Sequence, residues 1–476
     1  MSRTLSTAIA ALLALVSVAN AGSGAEERLQ RCLGKHTRSR YARWGVMVKE
    51  LPDDRVLFAH NATLSFNPAS NIKLITSAAV LRHFGPDHRF AVEVFGDLER
   101  RSVQGGLYLR GHCDPSLTTA RLAEMAGRLR GLGVEEVQGP LYIDTSAYEG
   151  PTDPPGYRRF RSSHPFRAGV GALSLNHNVI RIAVVPGPAP GLPARVVVDP
   201  ASSYLQLQAA VRTTSGYSRL HVSTHPRGEA TWVTVRGRIN HRSRPRVYWR
   251  RIYDPPLYVA HTFIAQLRAA GVRIGRRIGR RQVPEGLPRL VVSQSPELAS
   301  IVRSGTKHSS NMVAEHLLLA LGADELGWPA TFDKGLRALD LYLRTLGVKP
   351  GGQRLENGSG LSRRSLIRPA DMVRILEGVY RDFGARPETL AALPVAGLDG
   401  TLRRRFGRSR AKGQVRAKTG TLSGVSCLSG YAGYQGRVLL FTFMSGRVRR
   451  PGVRWKQEAM AGCLVDYLRA QAGEPP

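Results

Sequence analysis

A serine and a lysine three residues apart, Ser70 and Lys73, have the clearest potential for chemistry in this sequence. They stand at the start of a segment, Asn71 to His83, whose apolar residues recur with helical spacing. Side chains three apart on a helix project from the same face, so the ammonium can reach the hydroxyl. A buried, neutral lysine can take the serine proton. The pair predicts a serine nucleophile, although a helix cap beside a surface lysine fits the same spacing.

Two further motifs follow in the chain order that accompanies a nucleophile of this kind. The first is Ser309-Ser310-Asn311, which precedes a predicted helix. A serine here can relay a proton to a leaving amine, and an asparagine amide can hold the carbonyl of a substrate. The order of the motifs favours the nucleophile over the helix cap.

The second motif, Lys418-Thr419-Gly420-Thr421, lies in a predicted strand. Lys418 and Thr419 can bind a carboxylate, and Gly420 leaves room for an extended substrate beside the strand edge. The backbone N–H groups of Thr421 and Ser70 would form an oxyanion hole. The three motifs together predict acyl transfer.

With these motifs the chain resembles the class C penicillin-binding proteins, the D-alanyl-D-alanine carboxypeptidase/endopeptidase family of peptidase S13. The long separation of Ser70 from Asn311 is typical of this family, in which it holds two inserted modules. The strings that support the resemblance are Pro68-Ala69-Ser70-Asn71-Ile72-Lys73, Ala172-Leu173-Ser174-Leu175-Asn176-His177-Asn178, Asn357-Gly358-Ser359-Gly360-Leu361-Ser362-Arg363 and Leu393-Pro394-Val395-Ala396-Gly397-Leu398-Asp399-Gly400-Thr401-Leu402.

The resemblance implies an α/β (α+β) fold of the serine β-lactamase/DD-peptidase-like transpeptidase type, with an antiparallel sheet flanked by helices. It implies that Ser70 is acylated by the D-Ala-D-Ala end of a peptidoglycan stem peptide, that D-alanine leaves and that water hydrolyses the acyl-enzyme. Crosslink cleavage and covalent inhibition by β-lactams are also implied, without a metal or an organic cofactor. The implied catalytic residues are Ser70, Lys73, Ser309, Asn311 and Lys418, and the implied substrate-binding residues are Thr419, Gly420, Thr421 and Arg363.

Substrate preference stays open at the level of the sequence. Arg363 stands where relatives have an arginine that contacts the carboxylate of diaminopimelate, but a structural arginine fits equally well. The stretch from Pro155 to Arg161 departs from the family pattern. It has arginines where relatives have an acidic residue that could bind an ammonium group of the substrate. A wall-binding pseudoenzyme and a serine β-lactamase on the same fold remain as alternatives.

The predicted helices and strands that carry these motifs lie at both ends of the chain, with β-rich sequence between them. This pattern predicts a discontinuous catalytic domain, residues 22–95 and 291–476, interrupted by a β-rich insertion of two modules, residues 96–290. The insertion shows short apolar strands and one helix, Leu122 to Leu132. The other predicted elements are a hairpin over 44–59, helices over 296–302, 310–321, 330–346, 369–381 and 452–469, and strands over 417–419, 426–434 and 437–444.

The N-terminus has the order of a secretory signal peptide. Arg3 precedes an apolar stretch, Leu5 to Val18, and an Ala19-Asn20-Ala21 cleavage site. We therefore expect residues 1–21 to be removed and the protein to be periplasmic or otherwise extracytoplasmic.

Four cysteines follow the expected cleavage site, and an exported chain permits them to form disulfides. Cys32 lies in a helical segment and Cys463 in the last predicted helix. The two would pair if the chain ends pack together. Buried free thiols are the alternative for all four cysteines.

The formal net charge is +34, and 60 of the 69 basic residues are arginine. Such a surface attracts polyanions, so electrostatic association with anionic wall polymers or membrane is expected. A specific nucleic-acid partner is not expected, because GC-rich codon usage alone can produce the arginine excess. The arginine clusters over 236–251, 273–281 and 403–416 are expected to be solvated faces.

Overall fold

The structure is a computed structural model that describes residues 24–160, 162–448 and 452–474. The predicted signal peptide, residues 1–21, lies outside the described residues. The helices are α1 (24–37), α2 (Ile72–Phe84), α3 (Thr119–Gly131), α4 (Pro255–Ala269), α5 (Leu298–Lys307), α6 (Asn311–Leu326), α7 (Phe332–Thr345), α8 (Pro369–Arg381), α9 (Arg386–Ala392) and α10 (Val453–Gln471).

Among the described residues, two strands precede α2, thirteen lie between α2 and α5, and three lie between α9 and α10. They are β1 (Arg43–Leu51), β2 (Arg55–His60), β3 (Ala91–Glu99), β4 (Ser102–Gly111), β5 (Glu136–Val137), β6 (Leu141–Asp144), β7 (Val179–Val185), β8 (Arg195–Asp199), β9 (Leu205–Thr214), β10 (Arg219–Arg227), β11 (Ala230–Asn240), β12 (Arg246–Arg251), β13 (Arg273–Ile274), β14 (Ile278–Arg280), β15 (Arg289–Gln294), β16 (Val415–Leu422), β17 (Val425–Tyr434) and β18 (Arg437–Gly446).

The described chain forms two compact units. The first contains the segment up to Arg82, the short segment Val302–Ser309 and the segment from Asp340 onward. The second contains His83–Ile301 and Ser310–Leu339. The chain therefore leaves the first unit and returns to it twice.

The first unit is built on a five-stranded antiparallel sheet in the order β16-β17-β18-β1-β2. The antiparallel pairing of β1 with β2 confirms the predicted hairpin. In β1, Val46 and Val48 alternate with half-exposed residues and pack into the core. Helices α1 and α10 contribute Leu33 and Leu464 to the same core. Burial of these apolar side chains is the main source of stability for this unit.

Strand β17 shows how the sheet is covered on both faces, since successive side chains point to opposite sides. Leu428 joins the core with α10, whereas Ser429 and Tyr431 point the other way. On that side Ser429 Oγ accepts a hydrogen bond of 2.6 Å from Asn71, and the Tyr431 hydroxyl donates one of 2.8 Å to the carbonyl of Leu376 in α8. The predicted fold class, an antiparallel sheet flanked by helices, is confirmed.

The ends of the chain are joined within this unit. Cys32 of α1 and Cys463 of α10 form a disulfide, which confirms the predicted pairing. Cys113 and Cys427 are free and buried. Burial raises the pKa of both thiols to about 12, so neither is a reactive thiolate.

The second unit holds three sheets, with the strand orders β10-β11-β9, β12-β7-β8 and β13-β5-β4-β3-β15; strand β6 pairs with β4 and β14. Its apolar core gathers side chains from all three sheets and from α3 and α4, among them Leu129, Ile182, Val233 and Phe263. This segment is rich in strands, as the sequence predicts.

Helix α4 is absent from the sequence-based prediction, which has one helix in this segment. The helix is buried on nearly every side, including Leu257, Val259, Phe263 and Leu267, so no polar face produces a helical period. The sequence does contain a signal for the start of this helix, the N-cap residue Asp254. Its carboxylate accepts a hydrogen bond of 3.1 Å from the N–H of Leu257.

Candidate active site

Ser70 and Lys73 are in direct contact at the start of α2. Ser70 lies in a short 3-10 turn, Ala69–Asn71, and its Oγ accepts a hydrogen bond of 3.0 Å from Lys73 Nζ. Ser70 is partly exposed, whereas Lys73 is buried. The hydroxyl therefore faces accessible space while its lysine partner is held behind it.

The turn that presents Ser70 is unusual in its backbone. Ala69 has a φ of +46°, in the left-handed region that costs energy for any residue with a Cβ. The side chain of Asn67 stabilises this conformation, because its Oδ1 accepts a hydrogen bond of 2.9 Å from the N–H of Ala69. Strain of this kind at a nucleophile persists only where the surroundings enforce it.

Two glycines enforce the position of this turn by letting backbone approach it. A Cβ on Gly360 would lie 1.9 Å from the carbonyl oxygen of Ala69, and one on Gly420 would lie 2.7 Å from that of Pro68. The sequence pattern predicts that Gly420 leaves room for substrate. In the structure, the space that its side chain would fill is occupied by the turn that carries Ser70.

The loop around Gly360 also fixes Lys73. The carbonyl of Ser359 accepts a hydrogen bond of 2.6 Å from Lys73 Nζ, and the carbonyl of Gly358 accepts one of 2.9 Å from the hydroxyl of Thr76, one turn further along α2. In the sequence, the string from Asn357 to Arg363 indicates only the family resemblance. Its structural role is to support Ser70 and Lys73.

Lys418 and Ser309 form a second hydroxyl–ammonium pair. Lys418 Nζ donates hydrogen bonds of 2.8 Å to Ser309 Oγ and 2.9 Å to the carbonyl of Thr419. Lys418 is completely buried. Because burial disfavours the charged form, it lowers the pKa of Lys418 to about 7. This lysine can therefore gain or lose a proton near neutral pH.

The string from Leu393 to Leu402 supports this second pair. Lys307, two residues before Ser309, donates to the carboxylate of Asp399 and, over 3.0 Å, to the carbonyl of Leu393. The same string supplies Thr401, whose hydroxyl accepts a hydrogen bond of 2.9 Å from that of Thr419. The end of α5 is thus tied to the strand that carries Lys418.

These groups meet in a cavity of about 260 Å³ within the first unit. The predicted residues at the cavity include both serines and two threonines of β16. The full lining is Ser70, Ser309, Thr401, Arg405, Thr419, Thr421 and Arg454.

Arg405 and Arg454 were not singled out from the sequence. Arg405 belongs to a cluster that was expected to be a solvated face, but its side chain is only 13% exposed and pairs with Glu458 over 2.7 Å. Burial lowers the pKa of Arg405, and Arg454 is exposed at the start of α10. The only hint in the sequence was the position of Arg405 four residues after Thr401.

Arg363 and Asn311 are not among the residues that line this cavity. Arg363 is exposed, does not line the cavity and donates a hydrogen bond of 3.3 Å to the carbonyl of Ser423. Asn311 belongs to the second unit, where its Nδ2 donates over 2.8 Å to the carbonyl of Phe166.

One group of potential metal ligands occurs among the described residues. The ligand atoms of Cys32, His36 and Cys463 lie within 4.8 Å of one another, but the disulfide uses both sulfurs. This group belongs to the chain ends and does not line the serine cavity.

A known protein family matches most of the chain. Residues 26–467 match the sequence profile of the D-Ala-D-Ala carboxypeptidase 3 (S13) family. The chain belongs to this family. It is therefore a serine-type D-Ala-D-Ala carboxypeptidase of the penicillin-binding protein class, and the predicted family and enzyme class are confirmed.

The sequences of individual relatives align with most of this S13 carboxypeptidase. A D-alanyl-D-alanine carboxypeptidase of Actinomadura sp. is 33% identical over 90% of this chain and 82% of its own length. The carboxypeptidase DacB of Haemophilus influenzae is 25% identical over 81% of each chain. The crystal structure of penicillin binding protein 4 from H. influenzae aligns with a TM-score of 0.79 and 22% identity, over 92% of this chain and 99% of its own. That protein has also been solved with a β-lactam.

Proposed function

We propose that this S13 carboxypeptidase acts through an acyl-enzyme on Ser70. Ser70 Oγ attacks the carbonyl carbon of the penultimate D-alanine while Lys73 takes its proton. Collapse of the tetrahedral intermediate breaks the peptide bond, and the leaving D-alanine amine receives a proton through Ser309. Water then hydrolyses the ester and restores Ser70. The observation that supports this scheme is the 3.0 Å contact of Ser70 with buried Lys73 at the wall of an accessible cavity.

The remaining predicted residues fit substrate binding in this scheme. The hydroxyls of Thr419 and Thr421 line the cavity beside buried Lys418, so they suit the terminal carboxylate of the peptide. Exposed Arg454 adds positive charge at the same cavity. The backbone N–H groups of Ser70 and Thr421 would stabilise the oxyanion. Asn311 would hold a substrate carbonyl, and Arg363 would contact the carboxylate of diaminopimelate in the stem peptide.

Mass spectrometry with a penicillin tests the nucleophile. Incubation of the mature protein is expected to add one penicillin to Ser70, and Ser70→Ala is expected to abolish the adduct and the release of D-alanine. Lys73→Met should slow acylation by about 10²- to 10⁴-fold. Ser304→Ala, which removes an exposed hydroxyl outside the cavity, is the matched control and should behave as wild type.

The alternatives give different results in the same experiment. A protein that forms no adduct and leaves the penicillin intact would be a pseudoenzyme. Rapid consumption of the penicillin without a lasting adduct would indicate a β-lactamase. An adduct on a serine other than Ser70 would contradict the proposed mechanism.

We also propose that the enzyme cleaves D-Ala to diaminopimelate crosslinks, since the cavity is open to solvent and the same acyl transfer serves both reactions. Purified crosslinked muropeptide dimers are the test substrate. Conversion to monomers by wild type and not by Ser70→Ala is expected. Release of D-alanine without conversion of dimers would limit the activity to carboxypeptidase.

The proposal includes export. None of the described helices is long and apolar enough to cross a membrane, and the Cys32–Cys463 disulfide suits an oxidising compartment. The intact mass of the protein from its native compartment should correspond to a chain that begins near Gly22. A mass that includes residues 1–21 would contradict cleavage.

A further inference from the structure

A second polar cavity lies in the second unit, and none of the residues assigned to acyl transfer lines it. Its volume is about 620 Å³, and it is bounded by the segment 162–167, strand β10 and the end of β12. The lining is Ser162, Ser163, His164, Arg167, Leu220, His221, Val222, Ser223, Thr224, Arg250 and Tyr253. Basic and hydroxyl side chains dominate this list, and no carboxylate is among them.

The wall of this cavity contains more positive than negative charge. Arg167 and Arg251 share one carboxylate, Asp153, over 2.9 Å and 2.6 Å. Arg250 forms no ion pair with any described carboxylate; its Nε and Nη1 donate to the carbonyls of Val222 and Trp249, each over 2.8 Å. Arg167 and Arg250 line the cavity, whereas buried Arg251, which follows Arg250 in β12, shares Asp153 with Arg167 behind that lining.

Part of this charge is buried and lacks acceptors. The side chain of Arg251 is 2% exposed and that of Arg167 is 11% exposed. Arg167 Nε and Arg251 Nη1 are buried with no hydrogen-bond acceptor among the described residues. Burial lowers the pKa of Arg167 and of Arg250, as expected for cations removed from water without full compensation. Arg167 and Arg251 both pair with Asp153, and Arg167 also donates to the carbonyl of Phe160, so one N–H of each side chain and one of the two positive charges remain uncompensated. A second anion at this place would compensate them.

Hydrogen bonds hold the walls of the cavity in place, so its hydrogen-bond donors are positioned before a ligand binds. The N–H of Arg251 donates over 2.9 Å to the carbonyl of Ser163, which joins β12 to the segment 162–167. The Tyr253 hydroxyl donates over 2.7 Å to the carbonyl of Thr224, which joins the segment after β12 to β10. A preformed set of donors binds a ligand at a lower entropic cost.

We propose that this cavity is an oxyanion-binding site for the phosphate or carboxylate groups of an anionic wall polymer. Guanidinium groups bind both kinds of oxyanion through paired N–H donors. The volume lies within the range of about 300 to 1,000 Å³ that holds drug-sized ligands, so the cavity suits a polymer segment with its anionic group. The site would bind the wall separately from the stem peptide that Ser70 cleaves.

Binding of two defined polyanions to the full mature chain tests the site and distinguishes the two sources. The probes are a fluorescent oligomer of poly(glycerol phosphate) and one of poly-L-glutamate with equal charge, titrated at fixed ionic strength. Arg250→Gln is expected to weaken binding of the preferred probe at least fivefold. Arg246→Gln removes the same charge from the same strand outside the cavity, and a change below twofold is expected.

The outcomes separate a built site from general attraction. A selective loss in Arg250→Gln supports the site, and the tighter of the two probes identifies phosphate or carboxylate as its group. Equal losses in both variants, or no binding of either probe by wild type, would overturn the proposal. Thermal unfolding checks that Arg250→Gln folds. If it does not, Arg250→Lys keeps the charge without the paired donors and should still bind less tightly than Arg246→Lys.

Discussion

At the scale of single residues, the protonation state of the Lys418 side chain can be measured directly. Complete burial lowers the pKa of this lysine to about 7, and a carboxylate bound beside it would raise that pKa again. Binding of a D-Ala-D-Ala peptide to Ser70→Ala should therefore take up a proton between pH 7 and 8.5, and affinity should fall as pH rises through this window. Calorimetry in buffers of different ionisation enthalpy measures the uptake.

Lys418→Met is the control for that proton, since its side chain does not titrate. Proton uptake should disappear in this variant. The folded protein holds fewer protons on Lys418 than the unfolded chain between pH 7 and the ordinary lysine pKa, so the destabilisation caused by burying this lysine decreases as pH rises. The stability lost by wild type relative to Lys418→Met should therefore shrink from pH 7 to pH 10. Uptake that persists in Lys418→Met would assign the proton to another group.

At the scale of elements, the disulfide between α1 and α10 links helices from opposite ends of the sequence. The two cysteines are 431 residues apart, so the bond restricts a long loop in the unfolded chain. The double variant Cys32→Ser/Cys463→Ser is expected to lower the free energy of unfolding by about 2 to 4 kcal/mol. Carboxypeptidase activity should be retained, because neither residue lines the serine cavity.

Alkylation in three steps checks the pairing directly. The folded protein should react at none of the four cysteines, since Cys113 and Cys427 are buried with a pKa of about 12. Unfolding without reductant should expose those two alone, and reduction should add Cys32 and Cys463. Modification of Cys32 before reduction would contradict the disulfide.

Elements also show where local pattern is sufficient. Helix α8 is observed over Pro369–Arg381, as predicted, because proline marks its first turn and its apolar residues lie along one face. Helix α4 was not predicted, because it is buried on nearly all sides and its sequence therefore has no polar face. Helix α5 begins and ends later than predicted, at Leu298 and Lys307, so its last turn extends toward Ser309.

At the scale of the whole molecule, the net charge of +34 predicts weak, long-range attraction to anionic wall material. Binding of mature protein to isolated cell walls should fall at least tenfold between about 0.1 M and 1 M salt, as the screening length shortens from about 10 Å to 3 Å. Sedimentation measures the bound fraction, with a neutral polysaccharide as the control matrix. Binding that does not change with salt would contradict an electrostatic origin.

The sequence by itself determined which residues are the candidates for chemistry in this protein. Ser70 and Lys73 meet because three residues of helix bring their side chains to one face, and this depends only on local geometry. The order of the three motifs and the strings around them identified the family. The cysteine pairing was predicted from sequence as one of two alternatives, since only packing decides which thiols meet.

Only the tertiary structure decided how those residues are supported and what surrounds them. The contact of Lys73 with Ser359 spans 286 residues, and that of Lys418 with Ser309 spans 109, so no local pattern encodes either distance. The same is true of Arg405 at the serine cavity and of Arg250 at the second cavity. Their sequence neighbours are arginines too, and only packing selects which arginines lose water and line a cavity.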